Sequence, residues 1–350
     1  MAGLLETYLQ DIRVNHPDRL DRDEWRMIRY GLVNSAIEQN AHPNSIISED
    51  LREKALNSQG RVIDIPVMKK GVLTVKNVRS CTIGTHENES EMVNVTWVTY
   101  AVDISMVAAQ YAKNEISYQN DLAAKLILVK EAILGEIEAS IHTKLDTEKS
   151  IVYNSALVPT KYPLVGNTLQ VTLAQQEYFF NDIDTIQQED EFYGEHYVIA
   201  STSLLPSVTH YINQGSGNDE NLSYQFADKT YRFSNNVING TGVNATGFIM
   251  PVGTLGMMTR VDVDAQMNHR STTGTEWGTV SIDGIPFPMG YLYRSECSDQ
   301  SALNGTGLEH LTATMVEQWS FSVDVALVTP YNSDPATNAG AIKKFEFLNV

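Results

Sequence analysis

Residues 61–106 read RVIDIPVMKKGVLTVKNVRSCTIGTHENESEMVNVTWVTYAVDISM. Ile63, Ile65 and Val67 alternate with polar residues or proline. Further on, Met92, Val98, Tyr100, Val102, Ile104 and Met106 share one parity, while Val93, Val95 and Trp97 share the other. A period of two predicts strands, and HENESE between them supplies a polar turn. With apolar residues on both parities, each face of the pair is expected to find a partner. The charges divide along the stretch. The outgoing limb carries Arg61, Lys69, Lys70, Lys76 and Arg79 against Asp64, and the turn adds Glu87, Glu89 and Glu91. A two-stranded ribbon is marginal alone, and its open edges invite pairing. One basic and one acidic limb suit stacking on the same element of a second copy. An ordinary hairpin in a mixed domain is the alternative that this pattern leaves open.

The stretch leads into a helical pattern. Leu122, Leu126, Val129, Ile133, Ile137, Ile141 and Leu145 recur every three or four residues, and Lys125, Lys130, Glu131, Glu136, Glu138 and Lys144 fill the other side. About 25 to 28 residues at 1.5 Å each predict a rod of roughly 40 Å, long enough to serve as a spine. Upstream, residues 1–60 read as an arm with short helices. One carries Trp25, Ile28, Leu32 and Ala36 as a stripe behind an Asp21 cap with Glu24 three residues on. Another, SEDLREKALNSQG, ends at Gly60.

Beyond residue 150 the pattern is mixed. TLAQQEYFFNDIDTIQQED is expected to be helical, with Leu173, Phe179 or Phe180, Ile183 and Ile186 on one face. HYVIAS reads as a buried strand, and SLLPSVTHYINQG as a helix with Pro206 in its first turn. YRFSNNVINGTGVNATGFIMPVG predicts two strands around a Gly/Asn loop, and GTLGMMTRV a short helix. In WSFSVDVALVTPYNS, Phe321, Val323, Val325 and Leu327 alternate as in a strand, and AIKKFEFLNV reads as a last strand.

Composition narrows the function. The chain has 350 residues, 42% of them hydrophobic, enough for a sizeable core. No apolar run approaches the ~18 residues of a membrane span, and the N-terminus, charged by Glu6, lacks the secretory pattern. Two cysteines, Cys81 and Cys297, offer no disulfide framework, which fits a reducing compartment. Of the net charge of −18, residues 162–342 hold −15, from five basic and twenty acidic side chains. A surface that acidic repels the nucleic-acid backbone and excludes a DNA reader. It does not exclude a container whose wall must not adhere to DNA.

Catalytic signatures are missing. The chain has no GxGxxG, GxxxxGK[ST], GxSxG or HExxH, and its eight histidines have no metal spacing. Asp262 and Asp264 in RVDVDAQ read as a solvated strand face, and Asp219 and Glu220 as a surface loop. Met250, Met257, Met258, Met267 and Met289 read as adaptable core filling. The expectation is therefore no catalytic, cofactor-binding or metal-binding residue and no enzymatic activity.

The order of elements resembles the major capsid protein of tailed bacteriophages, with its α+β, Hong Kong 97-type fold. GRVIDIPVMKK…VNVTWVTYAVDISM is similar to that family's extended loop. YAKNEISYQNDLAAKLILVKEAILGEIEASIHTKL resembles its spine helix, and SFSVDVALVTPYNSDPATNAGAIKKFEF its closing segment. The resemblance implies an N-terminal arm over 1–60 and an extended β-hairpin loop over 61–106. A peripheral domain with the spine helix would span 107–150, an α/β axial domain 151–310, and return strands 311–350. It implies self-assembly into the pentamers and hexamers of an icosahedral head enclosing double-stranded DNA, with host-cytoplasm assembly and residence in the virion. Portal, scaffolding and decoration proteins are the implied partners. Some relatives carry a longer, cleaved scaffolding region before the loop, so a separate scaffolding protein, or none, is expected here. The expected inter-subunit contacts are Arg61, Lys69, Lys70, Lys76, Arg79, Glu87, Glu89, Glu91 and Trp97. Bacterial encapsulin compartments share the fold; a cytosolic enzyme with an acidic α/β domain and a tail or baseplate protein are the other rivals.

Overall fold

A computed structural model of the chain describes residues 29–57, 60–68, 90–107, 111, 118–214, 224–226, 229–261, 275–282, 284–298, 314–332, 334 and 336–349. Two helices come first, α1 (Gly31–Ala41) and α2 (Glu49–Asn57). Leu32 and Ala36 of the expected stripe are fully buried on α1; Trp25 and Ile28 lie outside the described residues. α1 starts on a glycine because a Cβ at Gly31 would meet the Phe233 carbonyl oxygen at 2.1 Å. α2 is capped by Ser48, whose Oγ accepts from the Leu51 N–H at 3.2 Å.

The alternating stretch forms three strands, β1 (Val62–Met68), β2 (Ser90–Thr96) and β3 (Val98–Val107). It then gives way to α3 (Tyr118–Thr147), a helix of 30 residues and so about 45 Å long. All seven residues of its expected apolar stripe are at most 1% exposed. The polar side departs from expectation, since Lys130 and Glu138 are buried as well. Each has an interaction partner, as a buried charge requires.

β4 (Leu164–Val165), β5 (Thr168–Val171), α4 (Gln176–Glu189), β6 (His196–Ser201), α5 (Leu205–Gln214), β7 (Tyr224–Phe226), β8 (Lys229–Ser234) and β9 (Val243–Pro251) follow. Phe179, Phe180, Ile183 and Ile186 line the buried face of α4, but Leu173 precedes that helix in a short 3-10 turn and is exposed. Every residue of β6 is buried. The stretch expected as a short helix is instead β10 (Gly256–Arg260). Too brief for periodicity to separate helix from strand, it takes its form from sheet pairing. β11 (Thr275–Val280), β12 (Met289–Ser298), β13 (Thr314–Val328) and β14 (Lys343–Leu348) complete the order. β11 and β12 have no counterpart in the sequence reading.

The fold is α+β, and its contacts divide into two compact units. In one, which holds Val98–Ser140 and Met258–Ala326, β13 is paired antiparallel with β12 along one edge and β3 along the other, and β11 extends the sheet beyond β12. Trp319, Phe321, Tyr291 and Tyr293 pack together there. The other unit holds Gly31–Trp97, Ile141–Met257 and Leu327–Val350. Its seven-stranded sheet runs β4-β5-β14-β9-β6-β8-β7. The last strand, β14, lies inside this sheet, parallel to β5 and antiparallel to β9. Phe345 and Phe347 of β14 meet Phe179 and Phe180 of α4 in an aromatic cluster. β9 crosses beneath it at Gly247, where any Cβ would strike the Phe345 ring at 2.4 Å.

Candidate functional site

β1 and β2 form a sheet of their own. They pair antiparallel from Val62↔Thr96 to Met68↔Ser90. Residues directly opposite share a face, so the register sorts the side chains into two sets. Ile63, Ile65 and Val67 stand with Val95, Val93 and Glu91. Burial on this face fades outward: Ile63 and Val95 are buried, Ile65, Val67 and Val93 half-buried, and Glu91 exposed. Val62, Asp64 and Pro66 stand with Thr96, Asn94 and Met92, and all six are exposed. Val62 keeps 45% and Met92 55% of its surface in solvent. Apolar residues on both faces had predicted two covered faces; the chain itself covers one.

Three contacts run along the described part of the ribbon, from its root to its outer end. The Trp97 N–H donates to the Arg61 carbonyl at 2.7 Å. Lys54 Nζ donates to the Asp64 carbonyl at 2.9 Å. The Tyr331 hydroxyl donates to Glu91 Oε2 at 2.5 Å. Among the expected contact residues, Arg61 and Glu91 are exposed, whereas Trp97 is only 2% exposed within its own chain. In this conformation Trp97 is a root residue of the ribbon rather than a surface one. Lys69, Lys70, Lys76, Arg79, Glu87 and Glu89 lie outside the described residues, as do Asp262, Asp264, Asp219 and Glu220. Tyr331 and Lys54 escaped sequence reasoning. Tyr331 sits 240 residues from its partner, and no local pattern marks such a contact.

Several charges of the seven-stranded unit are tied to one another. Lys343 of β14 and Asp190, which caps α4, form an ion pair with both side chains 0% exposed. Asp190 also accepts from the Asn154 N–H at 2.7 Å. Burial pushes the Lys343 pKa down, and Asp190 opposes it. Asp184 joins Lys229 Nζ at 2.5 Å and His196 Nδ1 at 2.9 Å, both on buried side chains. Glu38 of α1 takes a two-pronged bond from Arg232, at 2.9 and 3.0 Å, and a third from the Tyr197 hydroxyl at 2.6 Å.

A cleft of about 560 Å³ opens in this unit, lined by Glu148, Glu189, Asp190 and Glu191 together with Tyr331 and Asn332. Its carboxylates have structural partners. Lys144 reaches Glu148 at 2.7 Å. Ser155 and the Ala156 N–H bond to Glu189 and hold its pKa below the ordinary range. Lys343 takes Asp190. Among the described residues, no group of three or more His, Cys, Asp or Glu side chains is placed to hold a metal ion. No described helix is long and apolar enough to cross a membrane. The arrangement offers a ribbon with one exposed face, whose strands pair only with each other among the described residues.

No family model matches the chain, and no curated protein matches it. Solved structures do resemble it. A chain of the cyanophage A-1(L) capsid asymmetric unit is 10% identical over 87% of this chain and 94% of that one, with a TM-score of 0.47. A chain from Mycobacterium phage Che8 is 8% identical over 86% and 88%, at 0.46. One from the capsid of cyanophage P-SCSP1u is 10% identical over 83% and 84%, at 0.44. This chain is similar to phage capsid chains. The likeness is one of chain trace.

Proposed function

We propose that the chain is the major capsid protein of a tailed phage. In this reading it assembles through its ribbon and arm into pentamers and hexamers of an icosahedral head around double-stranded DNA. The observation that carries the proposal is the β1–β2 ribbon. Among the described residues its strands pair only with each other, and its outer face presents Val62, Pro66 and Met92 to solvent. A two-stranded sheet of this kind gains stability from a further partner. A second copy supplies one, and closed symmetry makes the same contact available to every copy.

The division into arm, extended loop, peripheral domain, axial domain and return strands belongs to the same proposal. So do portal, scaffolding and decoration partners, assembly in the host cytoplasm and a non-enzymatic role. The concentration of −15 within residues 162–342 supports a wall along which packaged DNA slides without adhering.

Sedimentation velocity of the purified chain tests the reading, alongside a variant carrying Val62→Ser and Met92→Ser. Large closed particles or rings from the parent, lost in a variant with an unchanged circular dichroism spectrum, are expected. Particles that survive the double substitution would remove the ribbon's outer face from the account.

A further inference from the structure

The last turns of α3, from Ile141 to Thr147, end in a charged and aromatic cluster at the seven-stranded sheet. Asp146 accepts from Lys344 of β14 at 2.8 Å and from Lys149 at 3.1 Å. One turn earlier, His142 stands edge-on to Phe248 of β9, with centroids 5.7 Å apart and planes at 79°. The same Phe248 ring has Lys344 Nζ 6.0 Å from its centroid. His142 Nε2 is shielded from solvent and has no hydrogen-bond partner among the described residues.

An imidazole so placed is suited to the neutral state. Its charged neighbours are Asp146 on its own helix, Lys149 just beyond that helix, and Lys344 on the strand below. Burial holds the His142 pKa below the ordinary histidine range. The attraction of Asp146 opposes this, and the repulsion of Lys344 and Lys149 adds to it. Asp146 does not yield first on acidification. Burial disfavours its charge, but the hydrogen bonds and charges of Lys344 and Lys149 prevail and keep its carboxyl below the usual range. The ionic clamp therefore persists under mild acid while the histidine beside it seeks a proton.

We infer that His142 is an acid-release device: its protonation detaches the last turns of α3 from β9 and β14. The sign follows from linkage. A site with a lowered pKa when docked binds fewer protons docked than undocked. Docking is therefore intact above the ordinary histidine pKa of about 6.5 and weakens as pH falls through it. The carboxylates titrate lower, so this window belongs to histidine.

Amide hydrogen exchange read by mass spectrometry, corrected for the chemical pH dependence of exchange, tests it at pH about 7.5 and about 5.5, on either side of the histidine range. In the parent, peptides covering 141–149 and 343–348 are expected to lose protection on acidification, while α4 keeps its own. His142→Phe preserves the aromatic contact without a titrating group and should hold protection at both values. His142→Gln, smaller and also neutral, serves the same purpose if the phenylalanine does not fit. Unchanged protection in the parent, or a parent-like loss in the neutral variant, would overturn the inference.

Discussion

The seven-stranded sheet and the β1–β2 ribbon handle polarity in opposite ways. In the sheet, a strand from the chain end is held between two others, and its lysine is matched to an aspartate with neither side chain reaching solvent. Asp184 and Glu38 each gather more than one donor. In the ribbon, two strands of 7 residues each pair only with one another among the described residues, and one whole face is exposed. The sheet holds its closing strand between two others of the same chain. Among the described residues the ribbon's edges pair with no further strand and its outer face is exposed, the condition under which a strand recruits another molecule. Stability and assembly should therefore respond to different residues.

The sharpest break of that comparison is Asp190→Ala. It strands Lys343 in the sheet interior and frees the Asn154 N–H, and a loss of about 3–5 kcal/mol is expected in urea denaturation. Adding Lys343→Met should recover much of it, because the uncompensated charge is then gone. A milder test is Ile183→Val, fully buried on α4, which should cost about 0.5–1.5 kcal/mol. Val62→Ser with Met92→Ser lies at the other end, with a change within about 0.5 kcal/mol but loss of the assembled state. Reversing Lys69 and Lys70 to Glu should leave folding untouched and weaken assembly more at low salt than at high salt, the dependence that an electrostatic contribution to assembly predicts. Light scattering against ionic strength reads that difference. Equal sensitivity of folding and assembly to all four changes would erase the distinction between the two regions.

Those parts of the fold governed by local periodicity were legible in the sequence. The stripe from Leu122 to Leu145 is buried throughout, HYVIAS is a fully buried strand, and Phe321, Val323 and Val325 are buried on β13, though Leu327 is only half-buried and Asp324 and Ala326 between them are buried too. Readings failed where tertiary context decides. Lys130 and Glu138 looked like a solvated face and are buried. Gly256–Arg260, too short to carry a helical period, joined a sheet. The Lys343–Asp190 pair left no mark on the sequence reading, because 153 residues divide its partners. For the candidate surface, the sequence showed alternation and the charge split, but not which face the chain covers. That depends on the register Ile63↔Val95 and on anchors such as Tyr331, whose partner is remote.

The most direct measurement is light scattering behind a sizing column, with negative-stain microscopy of the same fractions. Closed shells, or rings of pentameric and hexameric size, are the predicted result; their contents would then separate a genome container from an enzyme compartment. A single species of monomer or dimer mass, stable at high concentration, would contradict the account, and the exposed ribbon would need a different partner.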